Sequence, residues 1–233
     1  MDFIMMLTRN DRTVDDADEV VESIIDWGVT HIGFKDIGVP TAVMQSVVRK
    51  IRAAGAVSYL EVVSTTPEAV MTSLTAGRDL GVDIVLGGTD LRAAKGILED
   101  LSGYYPFPGL PVGHPTKLGG SAALIADHCR AARSLGCGGV DLLAYRATEA
   151  GPLDLVRAAR GALDGGRLIV AGSVKSREQI HALAEAGADA FTIGSAAFDG
   201  SFSPSKGSPR SQIRDILDAC ATAPKRDSRQ AAG

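Results

Sequence analysis

What this 233-residue chain lacks narrows it before any motif is read. Its three cysteines, Cys129, Cys137 and Cys220, are odd in number and show no CxxC spacing, which excludes a disulfide framework and leaves them as reduced packing residues. No apolar run approaches the roughly 18 residues of a membrane span. The opening MDFIMMLTRNDR has an apolar stretch too short, and a start too acidic, for a signal peptide, so a cytoplasmic protein without a membrane partner is expected. There is no excess of basic charge either. Lys and Arg number 24 against 28 Asp and Glu, a net charge of −4, and the only basic cluster, PKRDSR, lies in the tail, so nucleic acid is not expected as a partner. No HxH, HExxH or Asp-rich signature appears and the four histidines are scattered, which argues against an obligatory zinc site and for no required cofactor. Magnesium through Glu61, Asp36 or Asp90 is the metal option left open.

What is present is a half-hidden repeat. WGVTHIGFKD, LGVDIVLGGTD, CGGVDLLAYRA and AGADAFTIGSAAF each pass from a small residue through a short turn into an apolar strand, and each follows a helix-like segment. Four more strand candidates, FIMMLTR, VSYLEVVS, YYPFPG and RLIVAGS, lie between them. The intervening segments carry helical spacing, as in VDDADEVVESIIDW, where Val20, Ile24 and Trp27 recur at i, i+4 and i+7. Others are TAVMQSVVRKIRAAG, TPEAVMTSLTAGRDL, GSAALIADHCRAARSL, GPLDLVRAARGAL and SREQIHALAEAG, several opening on Ser, Thr or Pro and closing at Gly. Strands alternating with helices mean parallel pairing. Eight even units with no linker fit one closed α/β barrel, a TIM barrel of the (β/α)8 type, over residues 1–220 better than an open doubly wound sheet. The first strand runs into NDRTV rather than a GxGxxG turn, so a dinucleotide-binding version has no fingerprint. The tail 221–233, rich in Ala, Lys, Arg and Ser, is expected to be disordered.

In such a barrel the strand C-termini converge on one face, and chemistry belongs there. The polar residues at those ends are Arg9, Lys35 and Asp36, Glu61, Asp90, Lys117 and His114 in a long proline-containing loop, Arg146, and two Gly-Ser pairs, Gly172-Ser173 and Gly194-Ser195. Glycine permits close backbone approach and a helix start favours an anion, so the two pairs, on neighbouring strands, are expected to bind phosphate; two tight turns needing small residues is the plainer alternative. Through AGSV, EQIHALAEAGADAFTIG and GSAAF the sequence resembles the ribulose-phosphate-binding barrels, such as histidine- and tryptophan-biosynthetic isomerases and pentose-phosphate epimerases. That resemblance covers residues 166 to 200 and implies a phosphate site at Gly172, Ser173, Gly194 and Ser195. It brings no catalytic residues. The chain also resembles a group of bacterial barrel proteins labelled hydroxythreonine-phosphate dehydrogenase, an activity for which it has neither dinucleotide fingerprint nor histidine ligands.

Strand alternation lets only one of Lys35 and Asp36 face the barrel mouth. A desolvated Lys35 with Arg9, Lys117 or Arg146 nearby could attack a carbonyl to form a Schiff base. GFKDIG is similar to a DVKNP-like stretch after the second strand of a phosphosugar barrel that makes furan precursors, where a comparable lysine stands. Equally, Lys35 could pair with Glu61 or Asp90 and merely lid the barrel. Glu61 interrupts an apolar strand in VSYLEVVS, where an unpaired carboxylate would cost several kcal/mol, so it needs a partner or a purpose. The catalytic candidates are therefore Lys35, Glu61, Asp36 and His114, with Arg9, Asp90, Lys117 and Arg146 as substrate-binding candidates; His31, His128 and His181 are read as structural and Tyr145 as packing. The expectation is an enzyme on a small phosphorylated carbonyl metabolite, a lyase of aldolase type through Lys35. The alternatives are an isomerase or epimerase working through Glu61 with Asp36 or His114, and a non-catalytic phosphometabolite-binding barrel. Homo-oligomers through exposed apolar helix faces fit all three.

Overall fold

The computed structural model describes residues 1–64, 66–113 and 115–224. Its main sheet has eight parallel strands: β1 (Asp2–Met6), β2 (His31–Lys35), β3 (Val57–Glu61), β4 (Ile84–Leu86), β5 (Tyr104–Tyr105), β6 (Gly139–Leu142), β7 (Arg167–Val170) and β8 (Ala190–Ile193). They run β6-β7-β8-β1-β2-β3-β4-β5 around the sheet. The seam between β5 and β6 is bridged where the Asp141 N–H donates to the Pro106 carbonyl at 3.0 Å and the Gly138 N–H to Leu101 at 3.1 Å. The barrel expected from the repeat is therefore present, all eight strands included. Pro106 and Pro108 cannot donate to a ladder, which is why β5 stops after two residues.

The helices α1 (Ala17–Asp26), α2 (Thr41–Ala53), α3 (Pro67–Leu80), α4 (Leu91–Leu98), α5 (Ala122–Ser134), α6 (Pro152–Ala162), α7 (Arg177–Ala186), α8 (Ser195–Phe198) and α9 (Pro209–Thr222) lie outside the sheet. On α1 the buried face is Ala17, Val21 and Ile24, with Val20 and Trp27 only partly covered. α9 continues two residues past position 220, and Ala223 is buried. Residues 225–233 lie outside the described residues. No helix among the described residues is long and apolar enough to cross a membrane.

Period-two alternation divides the strand residues between two cores. Phe34, Leu60, Val85, Val140, Leu142, Leu168, Val170 and Phe191 pack outward under the helices. Ile4, Met6, Tyr59, Leu86, Tyr105, Ile169 and Ala190 fill the barrel. Alternation then turns Lys35, Glu61 and Asp141 inward, each on a strand whose neighbouring residues face the helices. The inner core closes at the strand N-terminal end, where His31 Nδ1 lies 2.9 Å from the Tyr59 hydroxyl. Phe34 is fully buried between sheet and helices, so Phe34→Ala should lower unfolding free energy by about 3–5 kcal/mol. The exposed Met71→Ala should stay within about 0.5 kcal/mol of the parent in the same urea titration.

Candidate active site

A short hairpin follows β1, with Thr8–Arg9 pairing antiparallel to Arg12–Thr13. Its turn residues Asn10 and Asp11 have φ of 51° and 57°, the left-handed pair that a two-residue hairpin turn requires and that Asn and Asp tolerate. Thr13 fastens the hairpin to the end of β2: its hydroxyl donates to the Lys35 carbonyl at 2.7 Å and accepts from the Lys35 N–H at 2.9 Å. Gly38, at φ 114°, passes so close to the Thr13 backbone that a Cβ there would collide with it.

This anchoring delivers Asp11 to Lys35. Lys35 is 4% exposed, and its Nζ donates to Asp11 Oδ1 at 2.8 Å and lies 3.7 Å from Glu61 Oε2. Arg146, from the 3-10 turn Ala144–Arg146, brings Nη2 within 3.7 Å of the same Asp11 oxygen. Asp141 sits deeper on β6, fully buried, with no hydrogen-bond partner to either carboxyl oxygen among the described residues. Burial raises its carboxyl well above the ordinary carboxylate range; the Glu61 charge adds to the shift, and Lys35 and Arg146 oppose it.

Above this cluster opens a cavity of about 320 Å³ lined by Lys35, Glu61, Asp11 and Arg146 together with Gly172–Lys175 and Gly194–Ala196. Gly172 and Ser173 are both left-handed, at φ 78° and 63°. A Cβ on Gly172 would strike the Arg146 side chain, and one on Gly194 would strike Thr8. Gly194 is thus favoured by close approach and Gly172 by its left-handed backbone.

Of the candidates read from the sequence, Lys35, Glu61, Arg146, Gly172, Ser173, Gly194 and Ser195 share this cavity. Asp36 faces the other way, out of the barrel, and accepts from the Ser73 hydroxyl. Asp90 caps α4, accepting the Arg92 and Ala93 N–H groups at 3.0 Å. Arg9 lies exposed with its guanidinium 5.6 Å above the Phe198 ring. Lys117 is exposed on a second hairpin, Leu110–Val112 with Lys117–Gly119, and His114 lies outside the described residues. Glu61, Asp36 and Asp90, the residues considered for magnesium, occupy three separate places. No group of three or more His, Cys, Asp or Glu among the described residues is arranged to hold a metal ion. His128 accepts the Gly109 N–H at 3.0 Å, and His181 Nε2 lies 3.2 Å from the Ala219 carbonyl. Burial raises the thiols of Cys129 to about 12 and Cys137 to about 11, as befits packing residues.

Sequence reasoning missed Asp11 and Asp141. Asp141 carried the same signal as Glu61, an acid inside an apolar strand run, GGVDLL. Asp11 carried none, because its pairing with Lys35 spans 24 residues and depends on the hairpin turn.

No protein-family model and no curated protein matches the chain. Solved structures do. Orotidine 5'-phosphate decarboxylase from Pyrococcus horikoshii OT3 matches with a TM-score of 0.66 and 13% identity over 95% of this chain and 100% of that one. A cube-shaped, highly porous protein cage designed by fusing symmetric oligomeric domains matches at 0.61 and 14% identity, over 95% of this chain and 74% of that one. At these identities the likeness is one of fold. It supports the barrel and gives no support to the hydroxythreonine-phosphate dehydrogenase resemblance.

Removing the Asp11 charge would leave the Lys35 ammonium, among the described residues, with the more distant Glu61 as its ion-pair partner. Asp11→Asn should therefore destabilise the protein by about 3 kcal/mol at neutral pH. Arg9→Ala should change stability by no more than about 1 kcal/mol, and equal effects of the two in urea unfolding would refute the buried pair.

Proposed function

We propose that the protein is a lyase of aldolase type acting on a small phosphorylated carbonyl compound, with Lys35 as the Schiff-base nucleophile and Glu61 as the group that moves a proton. The observation that carries this reading is that a buried lysine and both Gly-Ser turns line one cavity of metabolite size, about 320 Å³. The turns Gly172-Ser173 and Gly194-Ser195 hold the phosphate, and Arg146 takes a second anionic group. The resemblance to ribulose-phosphate-binding barrels points the same way. So does the name of the decarboxylase neighbour, which specifies a 5'-phosphate on its substrate and the loss of a carboxyl group.

In this mechanism Asp11, 2.8 Å from Nζ, receives the proton that Lys35 must shed to attack. The amine adds to the carbonyl carbon, the carbonyl oxygen leaves as water with two protons from the original ammonium, and the iminium retains the third. As the adjacent carbon–carbon bond breaks, its electron pair is drawn into the iminium. Glu61 accepts the proton released from the substrate hydroxyl and returns it to the enamine carbon, and water then hydrolyses the iminium, releasing the second product and freeing the Lys35 amine. No metal or cofactor enters this scheme. Asp36, turned outward, has no part in it. Association of copies through exposed Met71, Leu110 and Val112, and a cytoplasmic location, belong to the same proposal.

A second reading is favoured by the Lys35–Asp11 bond itself. In that bond Nζ acts as a hydrogen-bond donor, the role that also polarises a carbonyl, and proton transfer through Glu61 would then make the protein an isomerase or epimerase. Thermal unfolding against sugar and short-chain carbonyl phosphates, each beside its unphosphorylated counterpart, tests the shared part. A phosphorylated ligand at 100 times its dissociation constant should stabilise the fold by about 2.7 kcal/mol. Borohydride with the selected carbonyl phosphate then separates the two readings. A mass adduct lost in Lys35→Ala supports the lyase; turnover without any adduct supports the isomerase; a tight ligand with no turnover leaves a binding protein.

A further inference from the structure

A second cavity, of about 350 Å³, opens at the same end of the barrel and has no part in the scheme above. It begins where the first one stops. Glu61 lines the first cavity, and Val63 and Ser64, just beyond it in the chain, line the second. The Cα atoms of Glu61 and Val63 stand no more than about 7 Å apart. The segments after β4 and β5 contribute Gly88, Thr89 and Phe107, and the second hairpin contributes Leu110, Val112 and Thr116. These parts are pinned to the barrel. The Phe107 N–H donates to the Gly88 carbonyl at 2.9 Å and the Thr148 N–H to the Leu118 carbonyl at 3.0 Å, while Arg146, from the wall of the first cavity, donates to the Thr116 carbonyl at 3.5 Å. The two cavities differ in chemistry. Val63, Val70, Phe107, Leu110 and Val112 make the second apolar, and no Lys, Arg, Asp or Glu among the described residues lines it. His128 lines it too, but its Nδ1 accepts the Gly109 N–H and so carries no proton of its own, which makes the ring neutral in that bond.

We propose that this second cavity receives the unphosphorylated fragment of the substrate, and that the fragment leaves as an uncharged, apolar aldehyde. The inference rests on the lyase reading and names the class of its second product. Position around the barrel supports it. In the order β7-β8-β1-β2-β3-β4-β5 the Gly-Ser turns follow β7 and β8, Lys35 and Glu61 end β2 and β3, and the second cavity lies beyond β3, β4 and β5. A substrate held by its phosphate at the turns and by its carbonyl carbon at Lys35 continues past Glu61 into that cavity. When the carbon–carbon bond breaks, the hydroxyl proton passes to Glu61 and the electron pair of the bond enters the iminium. The carbon that bore the hydroxyl departs as a neutral aldehyde. A charged group on that fragment would lose its hydration with no counter-ion on the cavity wall, whereas an aliphatic or aromatic group gains by leaving water.

Titration of the protein with 1-butanol, 1-pentanol and 1-hexanol, stable stand-ins for the aldehydes, tests the cavity by methyl NMR. The resonances of Val63, Val70, Leu110 and Val112 should shift saturably, and binding should tighten about fourfold with each added methylene. Glycerol should shift none of them. Thr89→Asp places a carboxylate in the cavity from an exposed position and should weaken 1-hexanol about tenfold or more, while Thr89→Val, similar in shape, should keep the parent's affinity. Thr89 is not on the hairpin, so this comparison is independent of any association of copies through Leu110 and Val112. No saturable shift of these methyl groups, no dependence on chain length, or equal affinity in Thr89→Asp and the parent overturns the proposal. With the carbonyl phosphate selected by thermal unfolding, run in the condensing direction, hexanal should be used with a higher kcat/KM than glyceraldehyde, and Thr89→Asp should narrow the ratio about tenfold; a preference for glyceraldehyde in the parent also overturns it. The two readings fail separately. Absence of a trapped imine removes the lyase mechanism while the alcohol titration still decides the cavity, and a trapped imine without alcohol binding removes this inference alone.

Discussion

A lysine ammonium inside the barrel is the constraint on which the rest of the site depends. Lys35 ends β2 on its inward face, and such a charge is tolerated only when countered at close range. The counter-charge comes from a different part of the chain. Asp11 reaches it because two left-handed turn residues fold the segment after β1 back on itself, because Thr13 makes two hydrogen bonds to the Lys35 backbone, and because Gly38 has no side chain to push Thr13 away. Three features that look unrelated along the chain serve one ion pair.

The barrel interior is graded as a consequence. Its lower part is apolar and ends in a neutral His31–Tyr59 contact, while its upper part is a charge cluster open to a cavity. Asp141 marks the boundary between the two, polar in type but placed at apolar depth. A ligand entering the cavity therefore meets fixed charges on its floor and tight glycine turns on its wall, and the arrangement is set before it arrives.

The fold was legible in the sequence because each strand and helix repeats a local pattern. Alternation, helical spacing and glycine punctuation are written within some twenty residues at a time. The site was legible where a residue violated its local pattern: Lys35 and Glu61 stood out as charges closing or interrupting apolar strands, and the Gly-Ser pairs as turns at strand ends. It was not legible where two residues of ordinary local character meet through the fold. Asp90 read as a mouth residue because it follows β4, yet it serves the first turn of α4. Asp36 differed from Lys35 only by the parity of one position, and parity at a strand's end decides between barrel interior and helix layer.

Gly172 gives the site a mechanical property. The Arg146 side chain lies against it where a Cβ would be, and the same side chain reaches Asp11, which in turn holds Lys35. The turn after β7 and the ammonium at the end of β2 are thus joined by a single guanidinium, as two pans are joined by a beam. Whatever presses on one end, whether an anion settling at the turn or a methyl group placed there by substitution, is weighed at the other in the electrostatic field around Lys35.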